Sequence, residues 1–509
     1  MSLITTTLVH SSQSTADSAS EETQLPILSL RLLFPWLLAF FCLGVPIVAW
    51  TGAYDPGPWK NYSSPWPNPF STMLVYILCG SLSIIPLCWV VKQRVLDLLA
   101  LALAQNALIF GGYFYFDQTA AHITESSYAI IQMAGLMVLL NAVGFFCFFI
   151  SLGGTYALVQ WGKFRLGALP APPTLLDERL VICMRVLSLF CAASIALPMV
   201  LTRTIPLLSA NGAEARLDLV MDSDVGRAIY HMGTALLPFV VGTLVLVMVR
   251  QPKRVFGWDG VITVTMVVLQ LLTSNRLPLS ITLMVTLCLL TMQYRLPRWV
   301  LVFAVVAYVF LFTFLSGFTA LLRNDPQALE EDWFGNSIQE AYLGDNIIDL
   351  RDGAWVLSQW DFQPLLGTTY LGGAVAMLPS GLFPEKKQWH LGLTGVRIVG
   401  LPDDAHFGLR ITFFGESFLN FGWAGVIMLG TMLGAAYGIV LRQVHLAASG
   451  SGPPCLCRNV VLLITLQCGF PLFNTSDAFI FWALLGVLAL IGLFVILPAS
   501  REPSSAPAP

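Results

Sequence analysis

The sequence predicts an all-α, polytopic integral membrane protein with about twelve transmembrane helices and one large outer loop, and three observations predict it. Of the 509 residues, 56% are hydrophobic and only 11% charged, where a soluble domain carries about 25% charged. The mean hydropathy is +0.75. The apolar residues fall in runs of about 20, the length that carries a helix across a hydrocarbon core roughly 30 Å thick. This balance excludes a soluble enzyme. A net charge of −3 leaves no basic excess for a nucleic acid.

Taken in chain order, the first thirty residues are polar, Ser/Thr-rich and carry Glu21 and Glu22 in place of a basic stretch, so 1–30 reads as a disordered tail and not as a cleavable signal peptide. The predicted spans are 32–50, 71–91, 95–115, 127–150, 181–201, 229–249, 259–275, 277–293, 299–318, 422–441, 459–473 and 479–498. The seventh and eighth meet through the very short connection Ser274-Asn275-Arg276-Leu277-Pro278. The chain then divides into 31–318 with spans one to nine and a smaller outer segment at 202–228, a loop at 319–410, spans ten to twelve within 411–500, and a Pro/Ser/Ala-rich tail at 501–509.

Orientation follows from Lys and Arg, which short cytoplasmic loops retain. With the N-terminus inside, the inner segments hold Lys92, Arg94, Lys163, Arg165, Arg179, Arg250, Lys253, Arg254, Arg295, Arg298, Arg442 and Arg458, together with Arg31 and Arg501. Most carboxylates fall on the other side. Both termini are therefore expected in the cytoplasm, and 319–410 on the outer face.

Eight of the ten cysteines lie in apolar runs and read as small hydrophobes. Cys455-x-Cys457 has no second Cys or His pair near it, so a zinc site is not expected. Asp222-Ser-Asp224 has the form of a metal-binding pair, but two carboxylates alone do not make a site. Asn61 and Asn474 stand in three-residue glycosylation sequons, a pattern frequent by chance. No glycine loop for a nucleotide phosphate is present, which argues against chemistry driven by cytoplasmic ATP.

The residues that could carry chemistry crowd at the outer face. Arg276 sits at the mouth of the tight hairpin, and Arg323 follows span nine in Leu321-Leu322-Arg323-Asn324-Asp325. Lys386, Lys387, Arg397 and Arg410 are the other outer cations singled out. Guanidinium groups bind phosphate bidentately and stay ionised, so arginines at this boundary suit the head group of a lipid pyrophosphate. The alternative is snorkelling to lipid phosphates or pairing with the acidic loop. Glu416 lies among Phe413, Phe414 and Phe418, where a carboxylate is costly unless paired or functional. Its alternative reading is an ion pair with Arg410 that anchors a re-entrant helix. His406, preceded by Asp403 and Asp404, has the makings of a carboxylate-oriented general base, against the plainer reading of a solvated loop histidine. Trp333, Trp355, Trp360 and Trp389 in the outer loop suit either sugar stacking or interfacial anchoring.

The run Gly415-Glu416-Ser417-Phe418-Leu419-Asn420-Phe421-Gly422-Trp423-Ala424-Gly425, continuing to Gly430 after a long outer loop, resembles the signature of oligosaccharide repeat unit polymerases of the O-antigen polymerase (Wzy) type. Ser274-Asn275-Arg276 is similar to the arginine-bearing hairpin of that family, and Gly367-Thr368-Thr369-Tyr370, followed by Pro379 and Pro384, to the start of its outer loop. The resemblance covers roughly 260–440; the segments 202–228 and 325–361 do not align with it.

The resemblance implies a GT-C-like glycosyltransferase of the bacterial inner membrane. It would move a growing glycan from undecaprenyl pyrophosphate onto a lipid-linked repeat unit at the periplasmic face, building a cell-surface polysaccharide. Its partners would be undecaprenyl-pyrophosphate-linked oligosaccharides and membrane lipids, with room for a chain-length regulator; no nucleic acid, cofactor or metal is expected. In that mechanism Arg276 and Arg323 hold the pyrophosphate, Glu416 or His406 takes the acceptor's proton, with Asp404 beside the histidine, and Arg397, Arg410 and Asn420 orient the substrates. Two other readings stand beside it. A ligase would move a finished glycan from the same carrier. A flippase or exporter would instead distribute charge through several helices, and the membrane interiors here are nearly free of it.

Overall fold

In a computed structural model, the chain is described over residues 127–160, 175–209, 224–273, 276–294, 348–375, 383–402 and 411–449, with Leu409 and isolated positions between 296 and 337. Among these residues the structure is helical and contains no strand. The spans expected at 32–50, 71–91, 95–115, 459–473 and 479–498, both chain ends, Cys455, Cys457, Asn61 and Asn474 lie outside the described residues, and span nine is described only at isolated positions.

Five helices cover spans four to eight: α1 (Ser127–Gln160), α2 (Leu175–Thr202), α3 (Asp224–Arg250), α4 (Trp258–Leu272) and α5 (Arg276–Gln293). The segment expected as the outer loop contributes α6 (Ile348–Gln359), α7 (Thr368–Val375), a 3-10 turn Pro384–Trp389 and α8 (Leu391–Ile398). The last described helix is α9 (Phe413–Ser449). Four stretches are long and apolar enough to cross a bilayer: Leu139–Leu158, Leu180–Thr202, Met232–Arg250 and Phe413–Ile439. Trp258–Leu272 and Thr282–Met292 are apolar but shorter.

Two groupings organise these helices. In the first, α3 packs against α2, α4 and α5. Ile182, Val186, Leu189, Val200 and Leu201 on α2, with Val261, Val264 and Val268 on α4, remain exposed, as apolar side chains do where a helix faces lipid. In the second grouping, α1 and α9 run side by side in the same direction. Gly430, Gly434 and Gly438, four residues apart and so on one helix face, press on the α1 backbone at Gly144, Phe148 and Leu152 in that order. Lipid offers apolar helices no hydrophobic reason to associate, so close backbone approach over small residues supplies the packing. Farther along the pair, the Arg442 guanidinium stands 5.4 Å from the centre of the Tyr156 ring. α6 lies across α1, where Gly353 meets the Met137 side chain, and thereby caps this pair.

One helix is interrupted. Gly422 has φ 61° and ψ −153°, a conformation open essentially to glycine alone. α9 is therefore two helices in series, Phe413–Phe421 and a longer segment beyond the break. The expected span began at 422; the helix begins nine residues earlier, and residue 422 is where it breaks.

Candidate functional site

The short helix before the break holds a buried polar centre. Thr412 caps it: its Oγ1 accepts the Gly415 amide at 3.2 Å and also takes a 3.3 Å bond from Asn141 Nδ2 of α1. Glu416, in the first turn, is fully buried, as is Asn420 one turn later. A carboxylate at a helix N-terminus is favoured by the axial dipole. Burial still demands hydrogen-bonding partners. Thr369 of α7 supplies one, donating from Oγ1 to Glu416 Oε1 at 2.7 Å. Asn420 Nδ2 in turn donates to Thr369 Oγ1 at 2.7 Å and to the Glu416 carbonyl at 2.9 Å. Because Thr369 accepts from Asn420, its own proton is directed at the carboxylate.

The break at Gly422 explains why the segment before α7 binds here. A helix interrupted at that point leaves carbonyls of its last turn without their usual partners. The Leu365 amide donates to Leu419 O at 2.9 Å and the Leu366 amide to Asn420 O at 3.0 Å. The next amide, Gly367, donates to Asn420 Oδ1 at 2.9 Å. Three consecutive amides are thus satisfied by the broken end of one helix and one side chain of it. Docking forces Leu366 and Gly367 to φ 50° and 88°. Gly367 suits both demands, since a Cβ there would also press on the Phe421 ring.

Two hydroxyls complete the centre. Ser417 is buried, and its hydroxyl lies beside that of Tyr370. Burial and, after it, the nearby Glu416 charge push the Tyr370 phenol well above the ordinary tyrosine range. The Tyr370 ring stacks on Phe421 at 6.1 Å with the planes 5° apart. Phe418 of the short helix meets Trp360 on one side and Trp423, just past the break, on the other, both edge-on.

Of the residues singled out from sequence, Glu416 and Asn420 come together in one network. Arg397 is exposed in the last turn of α8, which packs against α7, the helix carrying Thr369. Arg276 is the first residue of α5. Asp404, His406, Arg323 and Arg410 lie outside the described residues. Lys386 is buried in the Pro384–Trp389 turn. Among the loop tryptophans, Trp360 is buried and spends its indole N–H on the Gln363 carbonyl at 3.1 Å, whereas Trp333 is exposed. Among the described residues no cluster of His, Cys, Asp or Glu is arranged to hold a metal. Thr369, Tyr370, Ser417, Thr412 and Asn141 belong to the centre and were not assigned roles from sequence; the first two stand in the Gly367–Tyr370 string that carried part of the resemblance.

These features define a class: a helical protein with several helices of membrane-crossing length and composition, and a buried carboxylate–hydroxyl–amide centre at a helix break. No family model, curated protein or solved structure matches the chain.

Proposed function

We propose that the chain is an inner-membrane glycosyltransferase that polymerises polyprenyl-pyrophosphate-linked oligosaccharide repeat units at the outer face, with both termini cytoplasmic and about twelve spans in a GT-C-like arrangement. One observation carries the reading. Glu416 is a fully buried carboxylate at the head of a helix of membrane-crossing character, and a threonine from the adjoining outer-loop region is hydrogen-bonded to it. Ionisable groups in such helices are expensive to retain and mark functional sites.

In this reaction the acceptor sugar hydroxyl attacks the anomeric carbon of the donor glycan. A new glycosidic C–O bond forms and the bond to the pyrophosphate oxygen breaks. The electron pair leaves with undecaprenyl pyrophosphate, and the acceptor's proton passes to Glu416. Thr369 and Asn420 fix the carboxylate's position, which is the larger part of what a general base requires. Arg276 and Arg323 stabilise the departing pyrophosphate charge, while Arg397 and Arg410 orient the glycans. His406, with Asp404 beside it, is the alternative base. The leaving group is already attached to the donor, so no nucleotide is consumed.

The test is elongation by purified protein supplied with a lipid-linked repeat unit and no nucleotide sugar, with glycan length read on a gel. Long chains from the wild type, and single units from Glu416→Gln and Arg276→Ala at equal protein level, are expected. No elongation by the wild type removes the polymerase. Finished chains left on the carrier in a deletion strain would assign the chain to the ligases.

A further inference from the structure

The connection between α3 and α4 carries a chemistry unrelated to Glu416. α3 ends at Arg250, a 3-10 turn spans Pro252–Phe256, and α4 starts at Trp258. No residue of the turn is buried. Phe256 is 96% exposed and Trp258 77%, and Lys253 beside them is exposed as well. Both aromatic side chains are left uncovered by the rest of the protein.

This display is enforced by the packing around it. The Gly257 amide donates to Arg254 O at 3.0 Å, and a Cβ on Gly260 would collide with the Val255 carbonyl, so turn and helix are in direct backbone contact. Buried Asp259 fastens the base: it accepts two bonds from Arg185 of α2, at 2.7 and 3.0 Å, and one from Arg254 at 3.4 Å. The aromatics are held outward by a locked turn. Among the described side chains, Arg185, Lys253 and Arg254 stand around it, and Arg185 and Arg254 share the carboxylate of Asp259. Arg185, although paired, keeps 42% of its side chain exposed.

We propose that this turn binds the headgroup of an anionic phospholipid. It closes α3, whose Met232–Arg250 stretch is long and apolar enough to cross a bilayer, so the turn falls at the depth of the headgroups. Phe256 and Trp258 enter the boundary between headgroups and acyl chains, as aromatic side chains do at membrane interfaces. Lys253 and Arg254 meet the phosphate. A zwitterionic lipid satisfies the aromatic half alone; the surplus of cations selects a net negative headgroup.

The test uses the full chain in nanodiscs containing brominated phosphatidylglycerol or brominated phosphatidylcholine at equal mole fraction. The emission of Trp258 is taken as the difference between wild type and Trp258→Phe. Quenching by the brominated phosphatidylglycerol should exceed that by the phosphatidylcholine at least about twofold, and high salt should remove the excess. In Lys253→Gln, which alters an exposed side chain, the ratio should fall toward one. Equal quenching by the two lipids in the wild type would overturn the proposal in favour of a nonselective anchor. Absence of quenching by either would place the turn in solvent or against a protein partner and overturn it as well.

Discussion

Replacing Thr369 by valine keeps the side chain's shape and removes the hydroxyl at the middle of the buried network. Two bonds are lost, one to the Glu416 carboxylate and one from Asn420, both 2.7 Å long. A hydrogen bond to a charged group contributes about 1.5–3 kcal/mol and a neutral one about 1 kcal/mol. Asn420 Nδ2 keeps its 2.9 Å bond to the Glu416 carbonyl, which limits the second loss. The expected cost is about 2–4 kcal/mol, read from unfolding in mixed micelles. Asn420→Ala should cost a similar amount, because it also deprives the Gly367 amide of its acceptor. The two substitutions share the Asn420–Thr369 bond, so the double variant should be less destabilised than the sum of the singles by about 1 kcal/mol or more. Additivity within about 0.5 kcal/mol, the behaviour of independent sites, would refute the network as drawn.

Three further outcomes are expected. Gly434→Ala drives a methyl into the Phe148 carbonyl of α1, whereas Gly153→Ala meets nothing within 4 Å; thermal unfolding in detergent should register the first as strongly destabilising and the second as neutral or slightly stabilising. Arg185→Met removes the two shortest bonds to Asp259, which is 1% exposed, and leaves Arg254 at 3.4 Å; stripping one partner from a buried charge is costly, so this variant should unfold more readily than Asp259→Asn. The fold favours the neutral Tyr370 phenol, so the unfolded chain releases that proton first. Stability should therefore decline as pH rises past about 10, the ordinary tyrosine value, and Tyr370→Phe should show less of that decline in unfolding midpoints measured from pH 8 to 11.

How much of this was legible depends on what hydropathy measures. It locates the lipid-crossing part of a helix and not the helix's full length. The run expected at 127–150 belongs to a helix reaching Gln160, because Gly153, Gly154 and Thr155 dilute the apolar pattern while the helix continues alongside α9. At the other end of the pair, Glu416 and Asn420 dilute the apolar pattern of 413–421, so the expected span began at 422 although the helix begins at Phe413. Glu416 and Asn420 are four residues apart and share a helix face by arithmetic alone. Thr369 precedes Glu416 by 47 residues, and only tertiary structure brings it there. The same holds for Asp259 and Arg185, 74 residues apart. For Trp360, sequence left sugar stacking and interfacial anchoring open, and the buried aromatic packing against Phe418 favours neither.

The position of the polar centre follows from the break at Gly422. An unbroken helix would spend the Leu419 and Asn420 carbonyls on its own next turn, and the amides of Leu365 and Leu366 would lose their acceptors. With that docking lost, Gly367 would have no reason to sit against Asn420, and Thr369, two residues on, would not reach Glu416. One backbone conformation accessible to glycine thus couples a helix of membrane-crossing character to the segment that equips its carboxylate. Nothing lies within 4 Å of a Cβ at Gly422, so Gly422→Ala isolates conformation from crowding. Its cost should be about 1–3 kcal/mol, the scale of forced backbone strain, and it should weaken the Thr369–Glu416 coupling measured by the same double-variant cycle. A Gly422→Ala protein with full stability and undiminished coupling would show that the centre is held together by side chains alone and that the break is incidental to it.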